Sequence, residues 1–204
     1  MARPILFLTD YGLDDEFVGV CHAVMARLAP EARVIDLTHG IPPQDVMAGA
    51  LALSEAVPHA PPDAVYLGVV DPGVGTERRA VAVAAGGALL VGPDNGLLLL
   101  AARALGGVER AVEIDAGRVV SGPVSATFHG RDVFAPAAAR LAVSGDLRSL
   151  GGGVDPASLV SLEPDEPRVG PGRLTTTVLG IDRFGNVRLA ARAADLGAAG
   201  LGEQ

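Results

Sequence analysis

Short apolar runs that alternate with segments of helical periodicity are the feature that most constrains the fold. Residues 4–9 form such a run and end at Asp10, whereas the apolar residues of 16–28 recur at intervals of three and four, the spacing of one helix face. Further strands are predicted at 33–37, 65–70, 80–84, 88–91 and 112–114, and further helices at 45–56, 96–105 and 132–143. This alternation predicts the α/β class, with a mostly parallel central sheet and flanking helices.

The composition changes after residue 150, which predicts a domain boundary. Residues 1–150 are assigned to one α/β catalytic domain, and 151–172 are rich in Gly, Pro and Asp and are interpreted as a linker. Residues 173–204 predict a short C-terminal antiparallel β segment with a hairpin turn at 182–186. About thirty residues cannot bury a core of their own. This segment is therefore expected to pack on the first domain, to pack on another subunit, or to begin a longer domain that is cut short.

The charge and cysteine content exclude some classes of partner. A net charge of −8 without any Lys/Arg-rich stripe argues against nucleic acid, whereas an acidic chain suits a cationic or zwitterionic small ligand. Cys21 is the only cysteine, so no disulfide framework is expected and a cytoplasmic location is predicted. No signal peptide is predicted, and no apolar run reaches the roughly 20 residues of a membrane span, so no membrane partner is expected.

Ionisable side chains directly follow three of the predicted strands. These residues are Asp10, His39 (preceded by Thr38) and Asp71. Because the carboxyl ends of parallel strands meet at one edge of a sheet, we expect these side chains to share a site.

The loop after the third strand, residues 71–78 (DPGVGTER), contains a carboxylate and a guanidinium among glycines. An adjacent Arg78 would keep Asp71 ionised, so that Asp71 could hold or polarise a water molecule. The alternative is a structural ion pair that braces a turn. His129 opens the helix predicted at 132–143 and could orient water or move a proton near neutral pH, or could simply cap that helix. If Asp71, Arg78 and His129 converge on one water, the chain is a hydrolase that needs no metal.

The first strand-to-helix loop is crowded with acidic residues. Asp10, Asp14, Asp15 and Glu16 could be helix caps. Asp10 is the better ligand candidate, since a carboxylate can accept both hydroxyls of a ribose, and Asp15 would suit a cationic ammonium group. The cluster would also suit a divalent metal, so a metal-dependent phosphatase remains an alternative.

Five motifs in order, over roughly residues 3–190, resemble the S-adenosyl-L-methionine (SAM) hydrolases, also called SAM hydroxide adenosyltransferases. That family is related to the fluorinase and chlorinase. The motifs are TDYG at 9–12, DPGVGTER at 71–78, GPDNG at 92–96, TFHGRD at 127–132 and IDRFGN at 181–186. The resemblance implies hydrolysis of SAM to adenosine and L-methionine, with water or hydroxide attacking C5′ of the ribose and methionine leaving from the sulfonium. SAM is then the substrate, and neither a cofactor nor a metal is implied.

The resemblance also implies roles for individual residues. Asp71, Arg78 and His129 match the family's water-binding set. Four further residues match substrate-binding positions: Asp10 for the ribose hydroxyls, Asp15 for the methionine ammonium, Asp182 near the methionine moiety and Asn186 at adenine. The family assembles as a trimer with sites between the N-terminal domain of one subunit and the C-terminal domain of the next, which implies a homotrimer here.

Two comparisons with the family bear on the alternatives. The halogenating relatives lack the Asp-Arg-His set, and the fluorinase has a halide-binding Ser where this chain has Gly130, so a SAM-dependent halogenase is the weaker interpretation. The family's C-terminal β-barrel extends well beyond the last motif, whereas this sequence ends at Gln204 in an Ala/Gly-rich stretch. A non-catalytic protein that binds adenosine or SAM therefore also remains an alternative.

Overall fold

The computed structural model describes residues 1–120 and 122–202, and the chain divides into two compact units, Met1–Leu162 and Glu163–Gln204. The first unit contains, in chain order, β1 (Ile5–Thr9), α1 (Phe17–Leu28), β2 (Val34–Thr38), α2 (Val46–Ala56), β3 (Val65–Val69), β4 (Ala80–Ala85), β5 (Ala88–Pro93), α3 (Leu99–Ala104), β6 (Arg110–Ile114), α4 (Ala116–Val119), α5 (Ala135–Ser144) and β7 (Gly151–Val154).

The strands of the first unit form one seven-stranded sheet in the order β2-β1-β3-β5-β4-β6-β7. The neighbours β2, β1, β3 and β5 pair in parallel, whereas β4 pairs antiparallel with both β5 and β6, and β7 pairs antiparallel with β6. Five of the seven strands (β2, β1, β3, β5 and β6) therefore run in one direction. The predicted fold class, a mostly parallel sheet with flanking helices, is confirmed.

Each face of the sheet carries its own apolar core, because successive strand side chains point to opposite faces. In β1, Ile5 and Phe7 lie in the core under α1 and α5, whereas Leu6 and Leu8 lie in the core under α2 and α3. The helix predicted at 45–56 begins where expected, since the Asp45 carboxylate accepts the Ala48 N–H at 2.9 Å and caps α2. Because β1 and β3 are fully buried in these cores, the packing fixes the positions of the loops that follow them.

The prediction that residues 151–172 form a linker is wrong for its first four residues, because Gly151–Val154 form strand β7 of the sheet. Strand β7 pairs with β6 in the register Ile114–Gly151. A β-carbon on Gly151 would overlap the Glu113 carbonyl oxygen, so the glycine permits a close approach of the two strands. A run of three glycines has no hydrophobic periodicity, and its pairing partner lies far away in sequence. Its role in the sheet was therefore not visible locally.

An arginine clamp holds the segment after β7 on the first unit. Arg79 Nε donates to Asp94 Oδ2 at 2.8 Å and Arg79 Nη1 donates to Ser158 Oγ at 3.1 Å. The other oxygen of Asp94 accepts the Val160 N–H at 2.9 Å. Because these contacts reach residue 160, the first unit extends about a dozen residues past the boundary predicted from composition.

The second unit contains two short hairpins and one helix. Its elements are β8 (Arg168–Gly170), β9 (Arg173–Thr175), β10 (Val178–Ile181), β11 (Val187–Leu189) and α6 (Ala193–Ala198). The β-like run predicted from 173 splits into β9, which pairs with β8, and β10, which pairs with β11. The antiparallel character and the hairpin turn at 182–186 are confirmed. Helix α6 was not predicted. In the described parts of the chain, no helix has the length and hydrophobicity that a bilayer crossing requires.

We expect Gly151→Ala and Gly152→Ala to differ sharply in stability. Gly151→Ala should lower the free energy of unfolding by about 1–3 kcal/mol, because the new methyl group overlaps the β6 backbone. A β-carbon on Gly152 meets no atom within 4 Å, so Gly152→Ala should change stability by less than about 1 kcal/mol. Urea denaturation of both variants measures the difference, and equal stabilities would contradict the placement of β7.

Candidate active site

The loop after β3 brings a carboxylate and a guanidinium to the edge of the sheet. Strand β3 is fully buried, and Asp71 follows it by two residues. Within the loop the backbone turns twice, with Val74 N–H donating to the Asp71 carbonyl and Thr76 N–H to the Gly73 carbonyl. Gly75 has φ +77°, and a β-carbon there would overlap the Ala126 carbonyl oxygen. Only glycine lets the loop pack this closely on the segment that leads to His129.

Asp71, Arg78 and His129 form one hydrogen-bonded group. Arg78 Nε donates to Asp71 Oδ1 at 2.9 Å and to Oδ2 at 3.1 Å, and Arg78 Nη2 donates to Oδ2 as well. The same Nη2 contacts His129 Nδ1 at 2.8 Å. The side chains of Asp71 and Arg78 are 6% and 11% exposed, and the guanidinium carbon lies 5.1 Å from the centre of the Phe134 ring. A buried cation thus contacts two acceptors from separate parts of the chain.

The position of His129 is set by an unusual helix start. Residues Gly130–Phe134 form a turn of π-helix that leads into α5, and His129 precedes it. Such wide turns are frequent at functional sites. Because a guanidinium can only donate, His129 Nδ1 must accept from Arg78, and the neutral ring then carries its proton on Nε2. Burial, and next the Arg78 charge, hold the pKa of His129 below the ordinary value of a histidine, so the ring is neutral at pH 7.

A cavity of about 280 Å³ opens in front of this group, a size near the lower end for small-molecule sites. Asp10, Asp71 and His129 line it, together with Tyr11, Phe17, Pro43, Gln44, Val69, Val74, Thr127 and Gly130. Arg78 is not among the lining residues, which places the guanidinium behind the two groups that it contacts. The expected convergence of Asp10 and Asp71 at one sheet edge is therefore observed.

Gln44 is a cavity residue that the sequence did not indicate. Among the described non-glycine residues it is the one with positive φ, at 65°, a conformation that costs on the order of 1 kcal/mol or more. Its backbone N–H donates to Asp10 Oδ2 at 2.8 Å. The strained backbone therefore orients the Asp10 carboxylate and leaves Oδ1 available.

Three aromatic rings pack together beside the cavity. The rings of Tyr11, Phe17 and Phe128 lie 5.1–5.9 Å apart, centre to centre, in edge-to-face pairs. Burial raises the pKa of the Tyr11 hydroxyl. Tyr11 and Phe128 lie within the predicted motifs at 9–12 and 127–132, whereas Phe17 lies outside them, so the sequence indicated only two of these three rings.

Residues 5–151 match the model of the SAM hydroxide adenosyltransferase N-terminal domain. The chain belongs to the SAM hydroxide adenosyltransferase family. It is 58% identical to a protein of Salinispora tropica named (R)-S-adenosyl-L-methionine hydrolase, over 92% of this chain and 71% of that protein. A Thermus thermophilus protein of the same name is 49% identical, over 90% and 72% of the two chains. A protein of Actinopolyspora mzabensis named fluorinase is 29% identical, over 98% and 76%.

Two solved structures have the same fold. An uncharacterized conserved protein from Thermotoga maritima superposes with a TM-score of 0.84 at 38% identity, over 91% of this chain and 70% of that one. A conserved hypothetical protein from Thermus thermophilus superposes with a TM-score of 0.76 at 45% identity, over 94% and 74%.

Several other polar residues considered for the site do not line the cavity. Asp14 and Asp15 are exposed, and Asp15 is not among the cavity-lining residues. Glu16 precedes α1 without a capping hydrogen bond from its side chain. His39 is buried against Thr9, with 2.9 Å between its Nδ1 and Thr9 Oγ1, and does not line the cavity. The expectation that His39 shares the site is therefore wrong.

Asp182 and Asn186 lie in the second unit, where they stabilise their own turn. Asn186 Nδ2 donates to Asp182 Oδ2 at 2.6 Å, and Asp182 Oδ1 accepts the N–H groups of Phe184 and Asn186. The bond from Asn186 holds the pKa of the Asp182 carboxyl below its usual range. This local bonding is what the turn pattern predicted, and the substrate-binding roles of both residues stay predictions.

We expect Arg78→Gln to raise the pKa of His129. The Arg78 charge lowers that pKa, and removing it also leaves the Asp71 carboxylate, which raises the pKa, without its cation. An NMR titration of the His129 ring in the wild type and in Arg78→Gln measures the change. Arg33→Gln, an exposed arginine at the amino end of β2, is the matched control and should leave the titration unchanged. A lower or equal pKa in Arg78→Gln would contradict the assigned contact.

Proposed function

We propose that this protein hydrolyses S-adenosyl-L-methionine to adenosine and L-methionine, with water attacking C5′ of the ribose. The observation that carries the proposal is the hydrogen-bonded group of Asp71, Arg78 and His129 at a cavity that Asp10 also lines. The printed names of relatives up to 58% identical support the same reaction.

Asp71 and His129 hold the attacking water, and Arg78 positions both of them. The Asp71 carboxylate accepts one hydrogen from the water, while the protonated Nε2 of His129 donates to its oxygen. This arrangement follows from the contact at Nδ1, which leaves the neutral ring as a donor on its other side. As the C–O bond forms, the water proton passes towards Asp71 and then to solvent. Arg78 holds the two oxygens of Asp71 in place.

Four carboxylate or amide side chains bind the substrate. Asp10 accepts the ribose hydroxyls, since Gln44 N–H contacts one carboxylate oxygen and the other is available. Asp15 meets the methionine ammonium, Asp182 lies near the methionine moiety, and Asn186 contacts adenine. The roles of Asp182 and Asn186 rest on the match of their motif to the family, and that of Asp15 rests on the resemblance of the loop after the TDYG motif.

The chemistry requires neither a metal nor a cofactor. A sulfonium is already a good leaving group, so methionine departs without protonation by a general acid. The remaining barrier is the alignment of the oxygen behind C5′ and the loss of its hydration, and positioning lowers such a barrier by several kcal/mol. An acidic chain also suits a positively charged substrate.

Water is favoured over a halide as the nucleophile. The fluorinase has a halide-binding Ser at the position of Gly130, but here a β-carbon on Gly130 would overlap the Tyr11 hydroxyl. Tyr11 is packed between two rings, so it cannot move aside freely. The cavity therefore offers no room for a serine without rearrangement.

The decisive experiment is turnover of SAM in ¹⁸O-labelled water. We expect adenosine with label in its 5′-hydroxyl and unlabelled methionine, because the C5′–S bond breaks and water supplies the oxygen. Product should form equally in excess chelator, and added chloride or fluoride should give no halogenated nucleoside. Binding of SAM without adenosine formation would instead favour a non-catalytic binding protein.

Matched variants at the two ends of β3 test the role of Asp71. Asp71→Asn should lower kcat at least about a hundredfold, because the water loses its charged acceptor. Asp63→Asn alters an exposed carboxylate just before the same strand and should leave kcat unchanged. Equal turnover in the two variants would defeat the role assigned to Asp71.

We further propose that the protein is a homotrimer whose sites are completed by neighbouring subunits. Apolar side chains of the β10–β11 hairpin support this, since Val178, Ile181, Phe184 and Val187 are all exposed and exposed apolar patches commonly mark interfaces. Light scattering should give three times the 20.6 kDa of one chain, and Phe184→Asp should reduce that mass. A wild-type monomer would contradict the proposal.

A cytoplasmic location is proposed as well. Cys21 is buried and unpaired, burial raises the pKa of its thiol to about 12, and the sequence has no second cysteine. This is the cysteine use expected of a reducing compartment. Fractionation of the source cells tests the assignment, which a periplasmic or secreted pool would contradict.

A further inference from the structure

Two histidines and an aspartate meet at the edge of the sheet, apart from the cavity. His22 lies on α1, Asp36 on the edge strand β2, and His39 directly after β2. One ligand atom of each lies within 4.8 Å of the others. His22 Nε2 is 2.8 Å and His39 Nε2 is 3.1 Å from the same atom, Asp36 Oδ1.

The hydrogen bonding of His39 leaves one of its nitrogens without a partner. His39 is 6% exposed, and its Nδ1 contacts Thr9 Oγ1 at 2.9 Å. Its Nε2 is buried and forms no hydrogen bond, in spite of the 3.1 Å to Asp36 Oδ1. At that distance the absence of a bond means that the ring does not direct Nε2 along the line to the oxygen. A buried polar nitrogen without a hydrogen bond is costly unless something else binds it.

We propose that His22, Asp36 and His39 bind one divalent transition-metal ion of the Zn²⁺ type. Two imidazoles and a carboxylate are ligands that zinc prefers, and a three-residue set leaves a position for water. Metal-bound histidines usually donate their other ring N–H to an oxygen, and Thr9 Oγ1 stands at that position for His39. The His22 and Asp36 side chains are 34% and 44% exposed, so an ion can enter from solvent.

The ion would act as a brace and take no part in the reaction. It would join α1 to the edge strand β2, over the buried ring of Phe7, whose centre lies 5.8 Å from that of His22 and 4.8 Å from that of His39. His39 also supports the first strand-to-helix loop, because its backbone carbonyl accepts the Gly12 N–H at 2.8 Å. Thr9 Oγ1 in turn accepts the Tyr11 N–H at 3.1 Å. Metal binding would therefore stabilise the loop that carries Asp10.

The test is metal titration of the full chain without a histidine tag, after removal of bound metal by chelator. We expect one Zn²⁺ per chain by calorimetry, and a visible absorption band when Co²⁺ replaces Zn²⁺. Free Zn²⁺ at about a hundred times Kd should raise Tm by about 5 °C or more. None of these measurements depends on turnover of SAM, so the metal site and the proposed reaction can fail separately.

The test variants are placed at His22 and Asp36, which are partly exposed. A variant of His39 could lose its fold, because His39 is buried and contacts Thr9. His22→Ala and Asp36→Asn should each weaken Zn²⁺ binding at least about tenfold, because even the loss of an outer partner of a ligand costs this much. His59→Ala removes an exposed histidine elsewhere and should leave Kd unchanged. Absence of saturable binding, or equal Kd values in His22→Ala, Asp36→Asn and His59→Ala, would overturn the proposal.

Discussion

The ion pair between Arg78 and Asp71 is the interaction on which the candidate site depends. A guanidinium that is 11% exposed is tolerated only with charged or polar partners, and loss of one partner from such a pair costs about 3–5 kcal/mol. Arg78 satisfies this requirement with Asp71 on one side and His129 on the other. The planar fork of an arginine suits the geometry, since it can contact both carboxylate oxygens and still reach a third acceptor.

This pair also determines the protonation of the site. By donating to Nδ1, Arg78 places the His129 proton on Nε2, and its charge adds to burial in keeping the ring neutral. Asp71 and His129 therefore present an acceptor and a donor to the same cavity. A water molecule needs both to be held in one orientation, which is the main contribution a protein can make when the leaving group departs unaided.

The scaffold around the pair is rigid where the site requires it and strained at one point. Most of the core is aliphatic, although Phe7, Tyr66 and Phe134 are also buried in it, and three further rings pack together beside the cavity. Gln44 also lines the cavity, and its strained backbone orients Asp10. Residues with a strained backbone conformation cluster at active sites and ligand-binding sites. The edge strand β2 carries a separate polar cluster on the face under α1, away from that cavity.

The sequence by itself determined the α/β class, most element boundaries and the candidate residues Asp71, Arg78 and His129, because periodicity and strand-end motifs are local patterns. It could not indicate β7, whose glycines matter only through the distant backbone of β6, nor the strain at Gln44. Tertiary structure alone decided that His129 contacts Arg78 across 51 residues and that His39 is not among the residues that line the cavity. Contacts between residues of different loops depend on where those loops lie in space, and the packing of the whole sheet determines the positions of the loops.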